Sequence, residues 1–285
     1  MTSPRIVIQG ATLTGALVQE AARLAGATRV QQRSQMLWTC EDLFQAPSAA
    51  VRARLRSLGD TTRTDINCID APRPLTSFRL AVMDMDSTLI TIECIDEIAD
   101  MLGIKPQVAA ITESAMRGEI AYPESLRRRV ALLKGLDESA LERVYQERLQ
   151  LSTGAERMLA KFAAAGIKTL LVSGGFTFFT ERLKARLGLD FTHSNVLGIE
   201  HGKLTGTVAG AIVDAEEKAR MLLATCAQLG CAPSETIAMG DGANDLKMMA
   251  VAGLSVAYHA KPVVRAQAMT AISHHGLDAV LDFFD

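Results

Sequence analysis

The sequence predicts an α/β protein, a parallel sheet covered by helices and interrupted by a helical insertion, with a small α+β unit in front. Three observations carry this expectation. From Leu80 onward, short apolar runs that end in polar or glycine-rich residues alternate with helical stretches, the pattern of a parallel sheet and its crossover helices. After the first such run, roughly 70 residues are helical in period and contain no strand-like segment. Before it, the chain reads β-α-β-β-α-β.

In order, "RIVIQ" (5–9) reads as a strand, and 15–27 has helical spacing with Leu17, Ala21 and Leu24 on one side. "TRVQQRSQMLWTC" supplies two extended pieces, 47–58 a second helix and 63–69 a closing strand. This is a ferredoxin-like order, and "DAPRPLTSF" (70–78), with two prolines, is the expected linker. The expected domains are therefore 1–76 and 77–285. In the second, "RLAVMDMD", "IKTLLVSGG", "TIAMGDG" and "GLSVAY" are the strands. Four helical segments covering about 92–152 form a cap. A hairpin over 194–210 turns near His201 and Gly202. Ligands of open parallel sheets sit beyond the carboxyl ends of strands, so Asp84/Asp86, Ser173/Gly174 and Asp241/Asp245 are expected to converge on one crevice.

Composition narrows the function classes. The 285 residues are 48% hydrophobic and 22% charged with a formal net charge of −2, which suits a folded chain and argues against disorder. No basic run is long enough to follow a nucleic-acid backbone or an anionic membrane, so neither is an expected partner. The five cysteines are scattered and never spaced CxxC, as in a reducing compartment. With no signal-peptide pattern and no apolar segment of membrane-spanning length, the expected location is the cytoplasm.

The chemistry is concentrated in four short motifs. Asp84 and Asp86 sit two apart at a strand end, where each charge needs compensation. A pair of this kind is common by itself, but here "VSGG", "DAEEKA" and "GDGAND" follow it in order. "DMDST", "VSGG", "DAEEKA" and "GDGANDL" together resemble the haloacid dehalogenase superfamily of phosphotransferases over 78–285, whose core is a Rossmann-like parallel sheet. "DMDSTLITIECIDEIA", "MRGEIAYPESLRRRVALL" and "GDGANDLKMM" further resemble its bacterial phosphoserine phosphatases.

The resemblance implies Mg²⁺-dependent hydrolysis of O-phosphoserine through an aspartyl phosphate, the last step of serine biosynthesis. It assigns Asp84 as nucleophile, and Asp86 as the acid that protonates the leaving alkoxide and later the base for water. Asp84, the backbone carbonyl of Asp86 and Asp241 are the implied metal ligands, with Asp245 orienting the metal's waters. Ser173, Gly174, Lys218 and Asn244 are the implied phosphate contacts. Glu93 and Arg129 would take the substrate's ammonium and carboxylate, with Met116 and Tyr122 as an apolar wall. Of three successive arginines, the register of "YPESLRRRVALL" selects the third. Tyr122 departs from the family's usual phenylalanine. His259, His274 and His275 are read as structural.

In the first unit, "TLTGAL" (12–17) resembles the ligand-binding turn of ACT domains, modules that bind amino acids, although Thr12 and Thr14 replace the usual acidic residue and proline. The other expectation for this unit is docking or homodimerisation through an exposed sheet edge. Two further functions remain open: transfer of the phosphoryl group to another alcohol such as homoserine (or hydrolysis of a related phosphomonoester), and an amino acid sensor with an inert phosphatase half.

Overall fold

The computed structural model describes residues 3–284. The chain divides into two compact units. One takes the chain up to Ala81 together with Thr153–Lys168 and the segment from Cys231 onward; the other is Val82–Ser152 with Thr169–Gly230.

The first unit opens with β1 (Arg5–Gln9), α1 (Gly15–Ala25), β2 (Ala27–Gln32), β3 (Leu37–Leu43), α2 (Ala49–Thr62) and β4 (Asp65–Ile69). The four strands form an antiparallel sheet in the order β2-β3-β1-β4, the ferredoxin-like arrangement the sequence predicts. Local chemistry sets its helix ends. Thr14 Oγ1 accepts the Leu17 amide and Ser48 Oγ accepts the Val51 amide, capping α1 and α2, while Gly26 closes α1 at φ 70°. Ile6, Ile8, Val18, Ala21 and Leu55 build the core between helices and sheet.

Next in the chain, β5 (Leu80–Met83), buried throughout, runs across the division between the two units. The insertion that follows is helical, as expected: α3 (Cys94–Met101), α4 (Lys105–Met116), α5 (Tyr122–Ala131) and α6 (Ser139–Glu147). Its base is pinched. Ile90 and Leu151 form an antiparallel bridge, the Ser152 amide donates to the Leu89 carbonyl, and the Thr91 amide donates to the Gln150 carbonyl. Four helices thus leave and return at one point.

After α7 (Ala155–Ala164) come β6 (Lys168–Phe176), α8 (Thr177–Leu187), β7 (Phe191–Glu200), β8 (Lys203–Ala209) and α9 (Ala215–Leu229). β6 and β7 are parallel, with a register shift between Ser173 and Phe176. β7 and β8 form the predicted hairpin, whose turn places His201 at φ 51° and Gly202 at φ 74°. The last segment, again in the first unit, holds β9 (Thr236–Gly240), α10 (Leu246–Val251), β10 (Leu254–Tyr258), α11 (Pro262–Gln267) and β11 (Thr270–Ile272). β9, β10 and β11 pair in parallel.

Within the first unit, long-range side-chain bonds fasten the ferredoxin-like module to the chain's last segment. Asn67 of β4 donates to the Ala271 carbonyl at 2.9 Å and accepts the Ala271 amide at 2.8 Å, so one side chain stands in for a ladder rung beside β11. Asp65 accepts the Ser273 and His274 amides and pairs with His275 Nδ1. Arg5 donates to the Phe283 carbonyl, and Gln9 to the Ala279 carbonyl. His259 and His275 are tied together, His259 Nε2 lying 2.9 Å from the His275 carbonyl.

Candidate active site

Asp84 ends β5, and the chain then turns sharply. Asp86 is extended, and Ser87 takes φ 55°, a left-handed conformation uncommon for a side chain other than glycine. Asp84 is 5% exposed, and burial would oppose its charge without compensation. Its Oδ1 accepts the Met85 amide at 2.7 Å, and its Oδ2 lies 2.8 Å from Lys218 Nζ. Lys218 is fully buried. It gets there because Asp214 caps α9, accepting the Glu217 amide on its side chain and the Lys218 amide on its carbonyl, which places Lys218 in the first turn. A buried ion pair is justified by excellent geometry rather than by net stability.

Asp86 differs from its neighbour. Its side chain keeps some solvent contact, yet the surrounding protein desolvates it, and the charges of Glu93 and Asp84 push in the same direction. Its pKa is therefore raised well above the ordinary carboxylate value, opposed by hydrogen bonds from Cys94 at the start of α3, one from its side chain and one from its amide at 3.3 Å. Two neighbouring carboxyls in such different surroundings suit an acid and a base role.

Ser173 and the glycines after it lie against this pair. Ser173 is buried, and its Oγ accepts the Gly175 amide at 2.9 Å. A Cβ on Gly175 would come within 2.6 Å of the Met85 side chain and 3.0 Å of Asp86 Oδ2, so this position needs glycine for close approach. Gly174 is crowded from the insertion instead: a Cβ there would lie 2.3 Å from the Tyr122 hydroxyl. Its carbonyl accepts Asn195 Nδ2 at 2.7 Å and the Tyr122 hydroxyl at 3.4 Å. Asn195 is fully buried and its Oδ1 accepts the Val213 amide, which fixes the strand end from behind.

The insertion contributes further groups to this surface. Burial raises the Tyr122 phenol to about 12; the positive charges of Lys218 and Arg129 oppose the shift and the negative charges of Asp84 and Asp86 add to it, so all four are near its ring. Of the three successive arginines, Arg127 and Arg128 are exposed, with Arg128 paired to Glu124 at 2.7 Å, whereas Arg129 is half-buried and donates to the Ser125 carbonyl at 3.4 Å. Glu93 is exposed and accepts the Ser87 hydroxyl at 2.7 Å. Met116 ends α4 and is 69% exposed.

In the first unit, "GDGAND" forms the turn between β9 and α10. Asp245 is fully buried, its Oδ2 accepting the Gly242 amide at 3.0 Å, and it offers a carboxylate oxygen within 4.8 Å of one from Asp241. Both flanking glycines are required by space. A Cβ on Gly240 would meet Asp245 at 2.3 Å, and one on Gly242 would meet Asn244 Oδ1 at 2.2 Å. Among the described residues, Asp241 and Asp245 of the first unit and Asp84 of the second each offer a carboxylate oxygen that could ligate a metal ion. Their donors are all carboxylate oxygens, with no sulfur or imidazole, which fits a hard divalent cation.

Asp84, Asp86, Ser173, Gly174, Lys218, Tyr122 and Arg129 thus share one region of the second unit, while Asp241, Asn244 and Asp245 share one turn of the first. Gly175 and Asn195 escape sequence reasoning. The second glycine of "VSGG" was a usable signal for Gly175, but Asn195 lies in "HSNVLG" with nothing to mark it.

Comparison with known proteins agrees with this chemistry. Residues 81–250 match the model of the haloacid dehalogenase-like hydrolases. A phosphoserine phosphatase of Polaromonas sp. is 58% identical over 76% of this chain and 94% of its own length. The crystal structure of a haloacid dehalogenase family hydrolase from Salmonella enterica serovar Typhi superposes with a TM-score of 0.92 at 32% identity, covering 99% of both chains. The unliganded probable phosphoserine phosphatase from Vibrio cholerae superposes at 0.81 with 39% identity, covering 99% of this chain and 86% of its own. The chain belongs to the haloacid dehalogenase-like hydrolases.

Proposed function

We infer that the chain is a phosphoserine phosphatase, hydrolysing O-phosphoserine to serine and inorganic phosphate as the last step of serine biosynthesis. The observation that carries this reading is the contrast at the end of β5. Asp84 is buried against the Lys218 ammonium at 2.8 Å, and Asp86, two residues on, has its pKa raised by burial and by the like charges of Glu93 and Asp84. One is equipped to attack as a carboxylate, the other to give a proton.

In the proposed first step, an Asp84 carboxylate oxygen attacks phosphorus, the bond from phosphorus to the serine oxygen breaks, and Asp86 protonates the departing alkoxide. In the second, Asp86, now ionised, takes a proton from water as it attacks the aspartyl phosphate, releasing phosphate and restoring Asp84. Lys218 and the Ser173 hydroxyl, with the amides near Gly174 and the Asn244 side chain, hold the phosphoryl oxygens. Asp84, the Asp86 carbonyl and Asp241 would hold Mg²⁺, with Asp245 behind them, and the ion would supply positive charge against the repulsion of two anions. Arg129 takes the substrate carboxylate and Glu93 its ammonium, with Tyr122 and Met116 alongside.

We assign catalysis to 77–285, with the cap at about 92–152, and place the enzyme in the cytoplasm, a reading supported by five free cysteines. No helix among the described residues is long and apolar enough to cross a membrane. For the ACT-like module (1–76) the proposal is amino acid binding or homodimerisation. Since Asn67 and Asp65 commit β4 to the chain's own last segment, a two-fold sheet contact would use the β2 edge.

A panel of phosphomonoesters, assayed with and without chelator, tests the reading. O-phosphoserine should be the preferred substrate and chelation should abolish turnover. Arg129→Ala should cost about 10- to 100-fold in kcat/KM on O-phosphoserine and far less on an aryl phosphate. Equal losses on both would remove Arg129 from recognition, and phosphoryl transfer to added homoserine would replace hydrolysis as the reaction.

A further inference from the structure

A second charged pocket lies wholly within the first unit, between the ferredoxin-like module and the α11–β11 segment. It encloses about 140 Å³, and its walls carry Arg52 and Arg56 from α2, Cys68 from β4, and Arg265 from α11. Arg52, Arg56 and Asp60 are spaced four apart, so they line one face of α2.

The guanidinium groups are unequally engaged. Arg52 pairs with Asp70 and donates to the Pro47 carbonyl, and Arg265 pairs with Asp60 through its NH2 nitrogen. The Nε of Arg265 is buried with no hydrogen-bond partner. Arg56, half-buried on the same wall, makes no ion pair or hydrogen bond among the described residues. Asp65, the other carboxylate in the lining, is already spent on the Ser273 and His274 amides and on His275. The Cys68 thiol is raised to about 11 mainly by burial, with Arg52 and Arg56 pulling it down and Asp70 pushing it up. Arg52 is matched by Asp70 and Arg265 by Asp60, which leaves the Arg56 guanidinium unpaired and the buried Nε–H of Arg265 unmet among the described residues.

We propose that this pocket binds a small oxyanion of phosphate or dicarboxylate size, held by Arg56 and by the Nε of Arg265, with Arg52 beside them. A planar or tetrahedral oxyanion supplies the acceptors that both donors lack, and guanidinium forks match such ligands in pairs of parallel bonds. Occupancy would clamp α2 to α11. The latter begins immediately after Lys261, whose amide donates to the Asp241 carbonyl at 3.2 Å.

The test is backbone-amide chemical-shift mapping on the full-length protein, titrated separately with inorganic phosphate and with malonate. Binding here should move the amides of Ile66, Ala268 and Ala271, as a set distinct from any that move around Ser173 with phosphate. Arg56→Gln, which breaks no hydrogen bond or ion pair among the described residues, should weaken the pocket set about tenfold or more and leave the Ser173 set in place. Arg56→Lys should fall between the two. A response to both probes marks a general oxyanion site, and a response to phosphate alone marks a phosphate site. If neither probe moves these amides, or if a thermally intact Arg56→Gln variant titrates like the wild type, the pocket is not an anion site.

Discussion

Asp86 and Asp65 are two acidic side chains in different parts of the molecule, and their surroundings have opposite consequences. Asp65, 4% exposed at the start of β4, receives two backbone amides and an imidazole nitrogen, so its charge is met on several sides. Asp86 receives donors from one residue, the Cys94 side chain and the Cys94 amide at 3.3 Å, and faces the charges of Glu93 and Asp84. Asp65 joins two segments 210 residues apart in the chain, and Asp86 is pushed toward its acid form. Burial of a carboxylate therefore does not identify a reactive one. What separates the two is how many donors the fold supplies and whether the nearby charges are of like sign.

The largest expected effect comes from Asp84, which shares Asp86's region but carries the negative charge. Asp84→Asn keeps the shape and removes the nucleophile, so phosphate release should fall to background and no phosphorylated enzyme should be detected by mass spectrometry after rapid quenching with substrate. Turnover at the wild-type rate in this variant would overturn the covalent route.

Asp86→Asn should be slower by about 10²- to 10⁴-fold, the usual range for general acid–base assistance. The pH profile makes the comparison sharper. A carboxyl with a raised pKa is protonated below that value and loses its proton as pH rises through it, so the leaving-group step should weaken on the alkaline side. In Asp86→Asn that limb should vanish from kcat. An identical limb in both enzymes would assign it to another group.

Asp65→Asn should have the opposite phenotype. Its charge-assisted bonds to the Ser273 and His274 amides and to His275 are lost or weakened, and the stability cost should be about 2 kcal/mol, read as a lower midpoint in denaturant, with kcat little changed. A loss of activity without a loss of stability would place Asp65 in the reaction and erase the distinction drawn here.

The same contrast explains what was legible in the sequence. Local chemistry was readable: the carboxylate pair at the end of β5, the glycine-flanked turn of "GDGAND", and the hairpin at His201–Gly202. Lys218 was readable only through the motif around it, because an isolated lysine on a helix carries no sign that it is buried. Relations between distant segments were not readable. Nothing in "TDINCID" announces that Asn67 will complete a rung beside Ala271, or that Asp65 will meet His275. These bonds form only after the strands are placed, and neither period nor turn chemistry encodes them. For the same reason a proline-rich boundary near 70–78 is clear in sequence, while the packing groups the chain up to Ala81 with its last segment.

The smallest expected effect concerns Tyr122, where this chain departs from phenylalanine. Its hydroxyl reaches the Gly174 carbonyl at 3.4 Å, long for an O–H donor, while Asn195 reaches the same oxygen at 2.7 Å. Two donors on one carbonyl are not equivalent: the shorter bond comes from a fully buried side chain that is itself fixed by the Val213 amide. Tyr122→Phe should therefore change kcat/KM by less than about threefold, well under the worth of one good neutral hydrogen bond. Asn195→Ala, which strips the stronger donor and leaves the Val213 amide unmet, should cost more in both turnover and stability. Because burial holds the phenol near 12, Tyr122→Phe should also leave the pH profile unmoved through the physiological range. If instead Tyr122→Phe proved the more damaging of the two, the hydroxyl rather than the asparagine would be what holds Gly174, and the insertion would be positioning the phosphate loop directly.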